Sequence, residues 1–203
     1  MANERTRAPH PKAPPRLGVD IGRVIIAPVD PVSGADTEFL GGDERRSMLT
    51  PPAEGAFAAL RELNARFGGG VWIVSKAGPR VQALTRRWLE RWRFFALTGV
   101  RPANLYFCRE RHEKAEYARR FGLTHFVDDR QDVLAPMRGL VPNLLLFGAQ
   151  RGPAPPYVRH VRDWKEALAA LADVGPASGG EALADVGRPP GGEPLAEGAG
   201  GAT

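Results

Sequence analysis

Apolar residues fall along this chain in two rhythms, short continuous runs and longer stretches with an apolar residue every third or fourth position. Leu17 to Ile26 (LGVDIGRVII) is a β-branched apolar run and predicts a buried strand. Glu54 to Phe67 sets Phe57, Leu60, Leu63 and Phe67 at helical spacing, and Gly68, Gly69 and Gly70 stop that helix. Val71 to Val74 (VWIV) predicts a second strand. Pro79 then starts a helix whose apolar face runs Val81, Leu84, Trp88, Leu89, Trp92, Phe95.

The alternation continues. Asn104 to Cys108 predicts a third strand, and Glu113 to Phe121 a helix ended by Gly122. His125 to Val127 predicts a fourth strand that runs into Asp128 and Asp129. Asn143 to Phe147 predicts a fifth, and Asp163 to Leu171 a closing helix. Strands that are apolar throughout, alternating with helices, imply a doubly wound α/β fold with a parallel sheet covered on both faces. Ligands of such sheets bind outside the carboxyl ends of the strands, near the point where strand order reverses.

Composition sets the limits. The 203 residues suit one domain with tails, and 43% hydrophobic residues suffice for a core. A basic, proline-rich arm is expected over 1–15, the α/β domain over 16–173, and a disordered Gly/Pro/Ala-rich tail over 174–203. The echo of Leu171-Ala-Asp-Val-Gly at Leu183 is too short for a repeat architecture. No apolar run approaches the ~20 residues of a membrane span, and no hydrophobic segment follows the basic N-terminus as in a secretory signal. With a single cysteine, Cys108, no internal disulfide forms, so a cytoplasmic location is expected.

The net charge of +5 would attract phosphorylated ligands or nucleic acid, although a solvated basic face gives the same number. Arg80, Arg86, Arg87, Arg91 and Arg93 lie along one helix, and Arg109 and Arg111 follow the third strand. They read either as a phosphate-binding surface or as plain solvated arginines. Cys108 and His112 have metal-pair spacing, but two residues do not make a zinc site.

The strand ends carry the chemistry. Asp20 and Ile21-Gly22 follow the first strand, Ser75 and Lys76 the second. Lys114 opens the helix after the third, and Asp128 and Asp129 end the fourth, with Asp132 shortly after. Each is ordinary alone, since Asp and Ser cap helices and Lys decorates solvated faces. Their order resembles the four motifs of the haloacid dehalogenase (HAD) superfamily, over roughly Leu17 to Phe147.

The resemblance implies a magnesium-dependent phosphohydrolase with Asp20 as the nucleophile that forms an aspartyl-phosphate. It assigns magnesium to Asp20, Asp128 and the Gly22 carbonyl, with Asp129 and Asp132 acting directly or through water. Ser75, Lys76 and Lys114 would bind the phosphoryl group, Lys114 also keeping the carboxylates ionised.

The resemblance fails at one position. HAD phosphatases place a second, acid–base aspartate two residues after the nucleophile, and here that residue is Gly22. A substrate with a good leaving group could still react, Asp30, Asp36 or Glu38 could stand in, or turnover could be lost and leave a module binding metal, phosphate or nucleic acid. The gap from Ala27 to Pro52 carries no long helical pattern, and Arg109 to Glu113 passes directly from strand to helix. A minimal cap and an open site are therefore expected, suited to bulky or macromolecular phosphates.

Overall fold

In the computed structural model, which describes residues 14–28 and 44–174, the central strand is the first one in the chain. Strand β1 (Leu17–Val19) lies between β2 (Val71–Lys76) and β4 (His125–Asp128), pairing parallel with both. Outward lie β3 (Leu105–Cys108) beside β2, and β5 (Asn143–Phe147) then β6 (Arg159–Val161) beside β4. The order β3-β2-β1-β4-β5-β6, parallel throughout, is that of a doubly wound sheet. The expected fold class is the observed one.

The pleat sorts side chains into two cores. Val71, Ile73, Val127 and Leu145 face one layer, with Leu60, Leu63, Trp88 and Trp164 packed over them. That layer comprises α2 (Ala56–Arg66), α3 (Pro79–Arg91), α4 (Phe94–Thr98) and α7 (Trp164–Ala170). Trp72, Val74, Phe126, Leu144 and Leu146 face the other, under α5 (Glu113–Arg120) and α6 (Gln131–Leu134). Gly18 is required at its place in β1. A Cβ there would lie 2.5 Å from Phe126 Cδ2 and 2.7 Å from Leu123 Cδ1.

Several boundaries differ from expectation. The run Leu17 to Ile26 is a strand only as far as Val19; the Asp20 amide makes the last ladder bond, to the Val127 carbonyl at 3.0 Å. The chain then turns on itself, and the Ile21 carbonyl accepts the amides of Val24, Ile25 and Ile26. Those residues stay apolar because the turn is itself buried, with Ile21, Val24, Ile25 and Ile26 no more than 2% exposed. Two indoles pin it and its neighbour: Trp164 Nε1 donates to the Val24 carbonyl and Trp88 Nε1 to the Thr50 carbonyl, both at 2.8 Å.

The helix expected from Pro79 through Phe95 is broken in two. Arg93 takes a left-handed conformation (φ 52°), so α3 ends at Arg91 and α4 starts afresh at Phe94. Three elements were not expected: α1 (Glu44–Leu49), in the gap read as a loop, the short α6, and edge strand β6, where Val161 is the only fully buried residue. Asp163 caps α7 from outside it, its Oδ1 accepting the Glu166 amide at 2.8 Å. Asp30, Asp36 and Glu38, and nearly all of the expected arm and tail, lie outside the described residues. No helix among the described residues is long and apolar enough to cross a membrane.

Candidate functional site

Strand order reverses around β1, and its carboxyl end adjoins that of β4. Two carboxylates are delivered there from adjacent strands: Asp20, directly after β1 and 7% exposed, and Asp128, the last residue of β4 and fully buried. Asp129 follows, and one carboxylate oxygen from each of the three lies within 4.8 Å of the others.

Lys114 reaches them from the first turn of α5. The turn before that helix is held by Glu113 Oε2, which accepts the Arg109 amide at 2.9 Å and the Glu110 amide at 3.3 Å. Lys114 is thereby aimed inward rather than at solvent. Its Nζ donates to Asp128 Oδ2 at 2.7 Å and lies 2.8 Å from Asp20 Oδ1. The Asp20 contact is an ion pair without hydrogen-bond alignment, so Oδ1 is a buried oxygen with no hydrogen bond of its own.

Burial dominates the electrostatics. It pushes Asp128 up to about 7 and Asp129 up to about 6, against the pull of Lys114 on the first and Arg23 on the second. Lys114 loses hydration as well, yet the neighbouring charges of Asp128 and Asp20 outweigh that and hold it above its ordinary value. With all three carboxylates ionised, the Lys114 ammonium and the Arg23 guanidinium leave the cluster one positive charge short of neutrality. That deficit favours a hard cation, and the all-oxygen donor set and unaligned Asp20 Oδ1 suit a divalent one.

The cluster opens into a cleft of about 180 Å³. Ser75 and Lys76 line it from the end of β2, Gly22 and Arg23 from the turn after Asp20, and Arg111 and Arg130 from the loops after β3 and β4. Gly22 bridges to Ile26, and a Cβ on it would meet only Asp20 Oδ2, at 4.0 Å. Ser75 is nearly buried, whereas Lys76 is exposed at the rim.

The sequence-based site residues thus converge, with one departure. Asp132 is exposed and turned to Arg130, whose Nε and Nη2 reach its oxygens at 2.9 and 3.1 Å, so it does not join the carboxylates. Cys108 is buried, its thiol raised to about 11 by burial, while His112 is exposed; the two form no ligand set. Arg86 stacks on Phe107 and Arg87 pairs with Glu44, so both are engaged at the surface. Arg23 was missed. A lone charge inside the apolar run DIGRVII was its signal.

No family model and no curated protein matches the chain. Among solved structures, it is similar to a haloacid dehalogenase-like family hydrolase from Xanthomonas campestris. The two share 16% identity over 64% of this chain and 59% of that one, with a TM-score of 0.46. The chain therefore spans less than two thirds of that protein's length. Identity this low carries no chemistry with it.

Proposed function

We propose that this chain is a magnesium-dependent, HAD-like phosphohydrolase that works through an aspartyl-phosphate on Asp20. One observation carries the reading: a buried lysine joins the carboxylates of adjacent β1 and β4, with a third carboxylate beside them, at the switch point of the sheet. A structural domain gains little from burying three carboxylates with one ammonium and one guanidinium.

Asp20, Asp128 and Asp129 would hold magnesium, with the Gly22 carbonyl as a further donor. When bound, the ion offsets the repulsion between a carboxylate nucleophile and a phosphate dianion. Lys114 holds Asp20 Oδ1, and Oδ2 lies on the Gly22 side, toward the cleft. Oδ2 attacks phosphorus, the bond from phosphorus to the leaving oxygen breaks, and the leaving oxygen departs with the bonding pair. Ser75 donates to the transferring oxygens, and Lys76 and Lys114 offset their charge. Water then attacks phosphorus, releasing inorganic phosphate and restoring Asp20.

Gly22 supplies no proton to the leaving oxygen and activates no water. Substrates with good leaving groups are therefore favoured over alkyl phosphates. The cleft is open to solvent beside exposed Lys76, so the remainder of a substrate can extend outside it, which suits a bulky or macromolecular phosphate. The working protein is read as cytoplasmic.

Hydrolysis of an aryl phosphate tests the reading. Turnover that requires magnesium and disappears in Asp20→Asn is expected. Gly22 also favours a second reading, a module that binds metal together with phosphate or nucleic acid without turnover. That reading gains if magnesium and phosphate bind while neither wild type nor Gly22→Asp turns over.

A further inference from the structure

Arg23 has no counterpart in the chemistry described so far, yet it occupies a demanding position. Of the described residues, only Arg23 and Arg93 take a positive φ without being glycine, Arg23 at 59°. The turn that imposes this is fixed by the three amides on the Ile21 carbonyl. From it the guanidinium forms an ion pair with Asp129, the two side chains being 18% and 9% exposed. Asp129 is also the third carboxylate of the metal cluster. One side chain therefore neutralises an oxygen set that a cation would use.

We propose that Arg23 occupies Asp129 in place of the cation and transfers to the substrate's phosphoryl group when cation and anion bind together. The proposal rests on the metal-site reading above. A divalent ion arriving at Asp129 meets the guanidinium on that carboxylate and the Lys114 ammonium beside it, and like charges that close repel in a site this dry. An anion in the cleft removes the conflict. Arg23 already lines the cleft with Lys76, Arg111 and Arg130, and a guanidinium exchanges a carboxylate for a phosphate while keeping paired, charge-assisted hydrogen bonds. Cation and anion then strengthen each other's binding, reciprocally.

Calorimetric titration of magnesium into wild type, Arg23→Gly and Arg23→Asn, without and with saturating inorganic phosphate, tests this. Gly and Asn both suit a left-handed backbone, so the turn is retained, which circular dichroism checks. Wild type is expected to bind magnesium weakly alone and on the order of tenfold more tightly with phosphate. Both variants are expected to bind magnesium alone on the order of tenfold more tightly than wild type, with phosphate adding little. Variants that match wild type in both respects, or bind magnesium more weakly, overturn the proposal while leaving the metal site standing. If none of the three proteins binds magnesium, the metal-site reading falls too.

Discussion

Lys114 and Asp128 meet out of solvent, Nζ 2.7 Å from Oδ2, with side chains 3% and 0% exposed. The pair joins two consecutive elements, the start of α5 and the end of β4, across 14 residues of chain. Asp20 completes it from β1, at 2.8 Å. The same contact therefore stabilises the sheet's carboxyl edge and sets the charge of the site.

Removing the lysine should unmask that dependence. Lys114→Met leaves Asp20 and Asp128 facing each other without a counter-charge, at a cost of about 3–5 kcal/mol. Urea unfolding at neutral pH measures it. The Lys114→Met, Asp128→Asn double variant should recover part of the loss, because the pair rather than either member sets the cost.

Gly22→Asp should raise activity. The new Cβ has open space, with only Asp20 Oδ2 at 4.0 Å, so the fold should accept it. A carboxyl there can protonate a leaving oxygen, an effect of about 10²–10⁴ in rate. The gain should appear in kcat/KM, which reports phosphorylation of Asp20, for an alkyl phosphate and be much smaller there for an aryl phosphate, whose leaving group needs no proton. Equal gains on both would argue against leaving-group protonation.

Acid stability should depend on His125. It sits 9% exposed in β4, and burial lowers it from 6.5 to about 4. Between those values the unfolded chain protonates this histidine and the folded chain does not, so its contribution falls as pH falls, by at most about 3 kcal/mol. Asp128 and Asp129, raised to about 7 and about 6, take up protons in the folded chain and act in the opposite direction. The difference in unfolding free energy between wild type and His125→Gln, followed from pH 7 to pH 4, isolates the histidine. A difference that does not change with pH would refute its role.

Gly18 tests the packing of the central strand. Gly18→Ala drives a methyl into Phe126 and Leu123 and should cost about 1–3 kcal/mol by denaturant unfolding.

The sheet and the converging carboxylates were legible because each inner strand is a continuous apolar run ended by a polar residue: Val19 then Asp20, Val74 then Ser75, Val127 then Asp128. The end of β1 was not legible, since Val24, Ile25 and Ile26 are as buried in their turn as they would be in a strand. The break at Arg93 is a backbone choice that helical periodicity does not encode. Strand β6 has one buried residue, Val161, too little pattern to register. Arg23 escaped because its pairing with Asp129 joins two motifs far apart in sequence. Asp132 was drawn into the site by the resemblance, whereas its neighbour Arg130 takes it to the surface.

The most direct test is to look for the phosphoryl group on Asp20. Without a base at Gly22 to activate water, a phosphorylated Asp20 should hydrolyse slowly and accumulate during turnover of an aryl phosphate with magnesium. Intact mass spectrometry after acid quench should show the chain heavier by one phosphoryl group, mapped to Asp20, absent in Asp20→Asn and depleted in Gly22→Asp. Turnover with no adduct, or an adduct that survives Asp20→Asn, would contradict Asp20 as the nucleophile.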